Sequence, residues 1–288
     1  MTVILTDGAL GTEYQRLGLP VGSCPDFWTL EAPDRVYQVT KSYADAGSDA
    51  VLTTTFRANT VTLAEYGRAA DTRAINVAAT RIARDAAGPN KHVFGDVGPS
   101  GKMLIAGEVT EADLRRAFSD QCEALAEGGV DAIVLETFSD AAEAGIALAA
   151  ARATGKPVIV SFAFDTGRNQ DRTMTGLTPE QAARQMEDAG AAAVGANCGS
   201  GFEAFTALCR RFRQVTSLPL WIKPNAGLPE VTGGTLAYRS TPEQFAAAVP
   251  GYIEAGATYI GGCCGTTPEF IRAAAAVLQS LRSVQATA

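Results

Sequence analysis

Short apolar segments alternate with longer segments of helical period from one end of the chain to the other. The short segments are rich in β-branched and aromatic residues, which is typical of strands. They predict eight strands, at 3–8, 49–56, 92–99, 131–138, 157–164, 192–198, 219–226 and 259–265. The chain is therefore a regular succession of strands and intervening segments.

The intervening segments are rich in Ala, Leu and Glu and have the spacing of amphipathic helices. They predict eight helices, near 34–47, 71–87, 110–128, 140–153, 178–189, 202–216, 242–255 and 268–282. Several of these segments begin with a threonine that can cap a helix: Thr110, Thr178, Thr241 and Thr267. Four of them end with a glycine that can form a left-handed C-cap directly before a strand: Gly47, Gly129, Gly190 and Gly256.

Eight repeated strand–helix units favour a single (β/α)8 TIM barrel that spans residues 1–288 as one domain. The alternative is an open doubly wound sheet, but no G-x-G-x-x-G motif follows the first strand, as dinucleotide binding on such a sheet requires. No linker or shift in composition indicates a second domain. The Gly- and Thr-rich stretch 227–241 is predicted to be a long loop after the seventh strand.

Composition and charge narrow the class of protein. With 47% apolar and 19% charged residues, the chain can bury a large core. Its net charge is −7 and no run of Lys or Arg stands out, so we expect no nucleic-acid partner. The start of the chain lacks the features of a secretory signal, and no apolar stretch approaches the roughly 18 residues of a membrane span. We therefore expect a cytoplasmic protein with reduced thiols and no membrane partner.

The single histidine, His92, excludes metal sites that need two or three histidine ligands from one chain. His92 begins the third predicted strand, whereas the chemistry of (β/α)8 barrels lies at the carboxyl ends of the strands, so a structural role is expected for it. The candidates for function are the polar residues, glycine and cysteines at those ends: Asp7, Gly8, Thr53, Thr54, Thr55, Asp96, Glu136, Asn197, Cys198, Asn225, Cys263 and Cys264.

Three of the six cysteines, Cys198, Cys263 and Cys264, are expected at one rim of the barrel. Three thiolates with an open fourth position are a ligand set suited to a catalytic zinc site. Adjacent side chains on a strand point to opposite faces, so Cys263 and Cys264 can share a metal only if the strand end is distorted, which the surrounding glycines allow. The alternatives are apolar packing and a vicinal disulfide.

The other three cysteines are predicted to have no part in this centre. Cys122 and Cys209 fall within helical segments and are expected to pack in the core. Cys24 follows the first strand in a loop, and the sequence assigns it no role.

A zinc ion with three thiolate ligands carries a net negative charge, which makes it a weak Lewis acid for activating water or a carbonyl. Such a centre can instead bind a fourth thiol, lower its pKa and keep it nucleophilic as a thiolate. The ligand set therefore predicts attack by a substrate thiol on an electrophilic carbon. Alkyl transfer to sulfur is the simplest reaction of this kind.

The candidate residues stand within motifs that run along nearly the whole chain. The motifs are DGALGTEYQRLG at 7–18, TTTF at 53–56, DVGPSGK at 96–102, ETF at 136–138, GANCGSG at 195–201, PNAG at 224–227 and GGCCGTTPEFI at 261–271. In these motifs the chain resembles the homocysteine S-methyltransferase family, and it is most similar to the homocysteine module of cobalamin-dependent methionine synthase. The GGCC motif with an upstream NC is the most specific part of the resemblance.

The resemblance implies a Zn2+ ion bound by Cys198, Cys263 and Cys264, with the sulfur of homocysteine as the exchangeable fourth ligand. These three cysteines are therefore the expected catalytic centre. Asn197 stands beside one of them and is expected to orient the site.

The resemblance also implies that Asp7 and Glu136 hold the amino group of homocysteine. Backbone amides from Gly8 through Ala9 to Gly11 would receive its carboxylate. Two carboxylates at barrel strand ends repel each other and need a cation between them, which agrees with this role. The alternative is that both carboxylates pair with basic side chains of the protein.

The methyl donor is not specified by these motifs. A complete cobalamin-dependent methionine synthase has folate, corrinoid and activation modules, for which 288 residues leave no room. The expected donor is either a small onium compound, such as S-methylmethionine, a betaine or a sulfonium compound, or a methylated corrinoid protein in trans. Arg57 stands where methionine synthase is expected to have a small polar residue, and it either favours a donor or partner with negative charge or forms a structural ion pair.

The sequence therefore predicts a zinc-dependent enzyme that transfers a methyl group to homocysteine and forms methionine. Methyl transfer to another small thiol is one alternative, and a non-catalytic zinc- or thiol-binding subunit of a corrinoid methyl-transfer assembly is another. A third is a lyase or aldolase on the same barrel that forms a Schiff base through Lys223 on the seventh strand. The oligomeric state is not predicted.

Overall fold

The structure, a computed structural model, describes residues 3–232 and 235–287. Its strands are β1 (Ile4–Leu5), β2 (Ala50–Leu52), β3 (His92–Val97), β4 (Ala132–Phe138), β5 (Val158–Phe162), β6 (Ala193–Cys198), β7 (Leu220–Pro224), β8 (Glu230–Thr232), β9 (Thr235–Ala237) and β10 (Ala257–Ile260). Eight of them form one parallel sheet in the order β1-β10-β7-β6-β5-β4-β3-β2, and β8 pairs with β9 in an antiparallel hairpin.

The two ends of this order, β1 and β2, are joined through Asp49. Its backbone N–H donates to the carbonyl of Leu5 at 2.6 Å, and its Oδ2 accepts from the N–H of Leu5 at 2.9 Å. With this contact the sheet closes on itself, and the predicted (β/α)8 TIM barrel is confirmed.

The helices are α1 (Leu10–Arg16), α2 (Trp28–Glu31), α3 (Pro33–Ala46), α4 (Thr60–Ala64), α5 (Thr72–Ala87), α6 (Glu111–Gly128), α7 (Ala141–Ala153), α8 (Pro179–Asp188), α9 (Phe202–Arg213), α10 (Pro242–Glu254) and α11 (Pro268–Thr287). Helices α3 and α5 to α11 confirm the eight predicted helices. No helix in the described ranges combines the length and the apolar character needed to cross a membrane.

The helix ends follow the capping residues of the sequence. The side chains of Thr110, Thr178 and Thr241 each accept a hydrogen bond from the backbone N–H three residues later. At the other end, all four expected glycines have positive φ: Gly47, Gly129, Gly190 and Gly256. These local signals explain why the helices begin and end close to the predicted residues.

Side chains fill the inside of the barrel. The rings of Phe94, Trp221 and Tyr259 pack on one another with centroids 5.5 to 6.2 Å apart. Gly195 on β6 lies so close to β7 that a Cβ there would be 1.8 Å from the carbonyl oxygen of Trp221. A filled interior leaves the two ends of the barrel as the places where a ligand can bind.

The structure contains short elements that the sequence pattern did not predict. Helices α1, α2 and α4 lie in the connections that follow β1 and β2. The stretch 227–241, predicted as a loop, contains the β8–β9 hairpin, and its residues 233–234 lie outside the described part. The predicted loop was wrong here because a Gly-Gly pair between short β-forming segments is itself a hairpin signal.

Candidate active site

A cavity of about 440 Å³ opens at the carboxyl ends of the strands. The loops of the parallel strands converge at this end of the barrel, which is where the chemistry of (β/α)8 barrels takes place. Most of the predicted site residues line the cavity: Asp7, Gly8, Ala9, Gly11, Thr53, Thr54, Thr55, Glu136, Cys198, Cys263 and Cys264. The other three, Asp96, Asn197 and Asn225, are buried and are not among its lining residues, and Asn197 directly precedes Cys198.

The sulfur atoms of Cys198, Cys263 and Cys264 lie within 4.8 Å of one another. The Sγ atoms of Cys198 and Cys263 are 3.1 Å apart. Sulfur atoms bound tetrahedrally to zinc at about 2.3 Å are separated by about 3.8 Å, so the three thiols fit a zinc ion with small side-chain adjustments. Within the described ranges, no other group of three or more His, Cys, Asp or Glu side chains has such an arrangement.

The segment GGCCG brings the cysteine pair into the cavity. Strand β10 ends at Ile260, so the predicted strand 259–265 extends too far. Cys263 and Cys264 lie in the turn after this strand, where side chains no longer alternate between opposite faces. The turn packs tightly, since a Cβ at Gly261 would lie 2.0 Å from Thr6 Oγ1. Glycine is thus needed here for the close approach of the backbone to β1.

Asn197 connects the sulfur centre to the neighbouring strand ends. Its Oδ1 accepts from the N–H of Thr137 at 2.9 Å and from Ser161 Oγ at 2.7 Å. Its Nδ2 donates to Thr137 Oγ1 at 2.6 Å and lies 3.6 Å from the sulfur of Cys198 and 3.8 Å from that of Cys263. Thr137 and Cys198 both have positive φ, at 65° and 62°, a strained backbone that this network holds in place.

Asp7, Lys223 and Glu136 form a charged cluster on another part of the cavity wall. Lys223 Nζ lies 2.9 Å from Asp7 Oδ1 and 3.6 Å from Glu136 Oε1. Asp7 Oδ2 also accepts from the N–H of Leu52 at 2.7 Å. The two acidic side chains do pair with a basic neighbour, and sequence reasoning missed this use of Lys223. The available signal was a lone lysine in the otherwise apolar segment PLWIKP.

Burial and mutual contacts shift the pKa values of these groups. Burial raises the pKa of Glu136 to about 7 against the opposing influence of Lys223. Burial lowers the pKa of Lys223, but the carboxylates of Asp7 and Glu136 outweigh this, and the pKa is raised overall. Hydrogen bonds from Cys198 and Cys263 hold the pKa of Cys264 well below its usual value. The other two thiols and burial raise the pKa of Cys198, and Cys264 and burial raise the pKa of Cys263 against the opposing influence of Cys198, so the protonation of each thiol depends on the others.

The backbone at Gly8 and Ala9 is tightly fixed. The hydroxyl of Tyr43 lies 2.9 Å from the carbonyl oxygens of both Ala9 and Thr266. A Cβ at Gly8 would be 2.7 Å from the ring of Tyr43, so the chain can pass here only as glycine. The N–H of Ala9 donates to the carbonyl of Thr266 at 3.1 Å and is therefore not free to bind a substrate carboxylate.

The remaining cysteines and the histidine belong neither to the group of three sulfur atoms nor to the lining of the cavity. Cys122 and Cys209 are buried in α6 and α9, and the thiol of Cys24 donates to Asp26 Oδ2 at 3.3 Å. His92 is exposed at the start of β3, with Nδ1 3.8 Å from Asp131 Oδ2. These positions agree with structural roles.

Arg57 is an exposed residue at the mouth of the cavity. Its guanidinium donates to the hydroxyl of Tyr66 at 3.3 Å, and its backbone N–H donates to Asp26 Oδ1 at 3.1 Å. Among the residues that the structure describes, no carboxylate forms an ion pair with this guanidinium. The structural ion pair considered from the sequence is thus absent among these residues.

Fold and site together define a (β/α)8-barrel protein with a three-cysteine candidate metal centre beside an acidic subsite. The profile of one known family, described as homocysteine S-methyltransferase, matches residues 4–278. The chain belongs to this family, which confirms the resemblance seen in its motifs.

Individual relatives agree with this assignment. The chain is 32% identical to a methionine synthase of Mycobacterium tuberculosis and 29% identical to one of Mycobacterium leprae, matching over 97% and 96% of its own length. It spans about a quarter of the length of these curated relatives. It is also similar to the metallated form of the homocysteine methyltransferase MmuM from Escherichia coli, with 26% identity, a TM-score of 0.79 and 96% of each chain covered.

Proposed function

We propose that the protein transfers a methyl group to the thiolate of homocysteine and forms methionine, with Zn2+ held by Cys198, Cys263 and Cys264. The observation that carries this proposal is the approach of three sulfur atoms to within 4.8 Å on the wall of a cavity. The cavity, about 440 Å³, has the size of a small-molecule site. Membership of the family supports the acceptor and the reaction.

When bound, zinc with three thiolates lowers the pKa of a thiol in its fourth position and leaves that thiol nucleophilic. The chain itself holds the sulfur atoms in place. The glycine turn fixes the cysteine pair, and Asn197 donates toward Cys198 and Cys263. No histidine base is required, in agreement with the position of His92 outside the cavity.

The other end of the acceptor is directed to the acidic subsite. Asp7 and Glu136 form the side of the cavity that is proposed to receive its amino group, and the tightly fixed backbone beside Asp7 receives its carboxylate. Because the N–H of Ala9 already donates to Thr266, the amides that remain for this contact are those of Gly8 and of the first residues of α1, including Gly11. Ala9 then lines the cavity but donates no hydrogen bond to the substrate.

Asn197→Ala is expected to weaken zinc binding about 10- to 100-fold, because the variant loses the donor toward two ligands. The Thr137 N–H and Ser161 hydroxyl also lose their acceptor, so the free energy of unfolding falls by about 1–3 kcal/mol. Competition with a chelator measures the first effect and urea unfolding of the metal-free protein the second. Asn76→Ala, which removes another buried amide that neither lines the cavity nor contacts a cysteine of the centre, is the control that changes only stability. Unchanged zinc affinity in Asn197→Ala would contradict the role.

The donor is proposed to be either a small onium compound or a methylated corrinoid protein acting in trans. The similarity to the homocysteine methyltransferase MmuM supports the first kind of donor, because this chain matches 96% of that single-barrel chain. The mycobacterial methionine synthases, of which this chain spans about a quarter, support the second kind of donor, because the motifs of the chain resemble those of cobalamin-dependent methionine synthase.

One assay tests the proposed reaction. Zinc-loaded protein and homocysteine are incubated separately with S-methylmethionine, glycine betaine, a dimethylsulfonium compound, methylcobalamin and a methylated corrinoid protein. The expected result is zinc-dependent formation of methionine with at least one of these donors. If no donor yields methionine or another methylated thiol, the proposed function is wrong and a binding role within a corrinoid assembly takes its place.

Arg57→Ala separates the two kinds of donor. A cation at the mouth attracts the phosphodiester of methylcobalamin, a molecule with no net charge, and repels an onium group. Its removal is therefore expected to change the ratio of kcat/KM for methylcobalamin over a sulfonium donor by about three- to tenfold, in favour of the sulfonium. The exposed Arg73 on α5 provides the control substitution Arg73→Ala. An unchanged ratio in Arg57→Ala would assign this residue no part in donor choice.

Two alternatives have different support. Another small thiol as acceptor agrees with the same sulfur centre and is tested by the same assay with other thiols. A Schiff-base reaction at Lys223 is disfavoured, because its ion pair with Asp7 keeps the amine protonated and unable to attack a carbonyl. Borohydride trapping with substrate is therefore expected to leave the protein unlabelled.

A further inference from the structure

A buried lysine lies where the amino group of the acceptor is proposed to bind. Lys223 is 2% exposed and lines the cavity between Asp7 and Glu136. The protein thus already holds one cation between its two carboxylates. An acceptor with an amino group brings a second cation to the same place.

The two carboxylates are not equally free to receive that second cation. Both oxygens of Asp7 are engaged, Oδ1 with Lys223 at 2.9 Å and Oδ2 with the N–H of Leu52 at 2.7 Å. Glu136 Oε1 is 3.6 Å from Lys223 Nζ, beyond hydrogen-bond length, and this buried atom has no hydrogen-bond partner in the described part of the chain. A buried carboxylate oxygen without a partner is unfavourable, so Glu136 is the side chain stabilised by an incoming donor.

We propose that Lys223 occupies the Asp7 carboxylate, leaves Glu136 as the one of the two that binds the amino group of the acceptor, and thereby limits the preference of the enzyme for thiols that carry an amino group. This inference rests on the proposed methyl transfer to a thiol. The charges then balance, with two carboxylates facing two ammonium groups. Burial and the nearby Glu136 raise the pKa of Asp96, a third buried carboxyl, well above its usual value.

The preference for a thiol with an amino group is therefore weaker than the preference that two free carboxylates would give. The ammonium of Lys223 repels another ammonium a few ångström away and opposes part of the attraction of Glu136. Removing its charge makes the subsite more negative. A thiol with an amino group then gains binding, whereas the same thiol without the amino group does not.

The test compares homocysteine with 4-mercaptobutanoate, which has the same thiol and carboxylate but hydrogen in place of the amino group. Lys223→Met keeps the length of the side chain and removes its charge. The ratio of kcat/KM for homocysteine over 4-mercaptobutanoate is expected to rise at least about tenfold in this variant. Lys41→Met, at an exposed lysine on α3, is the control that leaves the ratio unchanged. If Lys223 has only a structural role, kcat/KM falls equally for homocysteine and for 4-mercaptobutanoate. An unchanged or smaller ratio therefore overturns the proposal.

Lys223→Met also leaves the buried Asp7 without its partner, which can prevent folding. The double variant Asp7→Asn/Lys223→Met removes both charges and keeps Glu136, so its ratio is expected to stay within about threefold of the original protein. A shift larger than about tenfold in this folded variant would mean that Asp7 itself binds the amino group, and the proposal is then wrong.

Binding of the methylated products separates this proposal from the proposed reaction. Calorimetry gives the Kd of methionine and of 4-(methylthio)butanoate without any donor, and the ratio of the two Kd values should change in Lys223→Met in the same direction as the kinetic ratio. If no thiol is methylated, the proposed reaction fails while these ratios still test Lys223. If methylation occurs and both ratios stay constant, the reaction stands and only the role of Lys223 is lost.

Discussion

Cys198→Ala is expected to abolish zinc binding and to lower methyl transfer to homocysteine at least about thousandfold. The variant keeps only the two adjacent sulfur atoms of Cys263 and Cys264, and a structural or catalytic zinc site with two protein ligands does not retain its metal against dialysis. Without the metal, the acceptor thiol stays protonated at neutral pH and is a poor nucleophile. Elemental analysis after dialysis and kcat/KM for homocysteine measure the two effects.

The matched control for this variant is Cys122→Ala. Cys122 is fully buried in α6 and lies away from the cavity, so its substitution removes one sulfur without touching the site. It is expected to retain about one zinc per chain, like the unmodified protein. Zinc retained at that level by Cys198→Ala, or full activity of the metal-free protein, would refute the proposed centre.

Glu136→Gln is expected to lower kcat/KM for homocysteine about a hundredfold, mainly through KM, while zinc content stays the same. Glutamine has nearly the same shape but cannot offer a negative charge to the amino group of the acceptor. The pair Asp7 and Lys223 has no net charge, so it does not compensate for the loss. The acceptor lacking an amino group, 4-mercaptobutanoate, should be methylated at a nearly unchanged rate.

The pH dependence of the KM for homocysteine is a second test of the role of Glu136. The pKa of Glu136 is raised to about 7 by burial, so the carboxyl gains a proton and loses its charge as the pH falls through that value. The KM for homocysteine should therefore rise below about pH 7 in the original protein and vary less in Glu136→Gln. Glu143→Gln, a change at another buried glutamate that binds the N–H of Ser100, should leave the profile as it was. A profile that is identical in all three proteins would contradict a role for Glu136 in acceptor binding.

Much of the fold could be predicted because its signals are local. The strand pattern repeats along the chain, and each helix carries its own start and stop residues, such as Thr178 and Gly190, which act within a few residues of their position. The hairpin β8–β9 was missed although its Gly-Gly signal is also local, because it stands within a polar stretch that resembles a loop.

The candidate site also has features that the sequence predicts and features that only the tertiary structure sets. The cysteines could be found from their place at strand ends, since the carboxyl ends of a closed barrel share one rim. Their actual geometry, with Cys263 and Cys264 in a turn beyond β10, depends on packing against Thr6 from the opposite end of the chain. The network of Asn197 with Thr137 likewise joins residues 60 positions apart.

The amino-acid sequence by itself determined the barrel, the rim at which its strands end and the three cysteines that are proposed as metal ligands, because periodicity, capping and strand ends depend on neighbouring residues. Only the tertiary structure decided that Lys223 stands between Asp7 and Glu136. That ion pair joins residues 216 positions apart and forms because closure of the barrel brings β7 and β1 to the same buried wall, where an unpaired charge would be unstable.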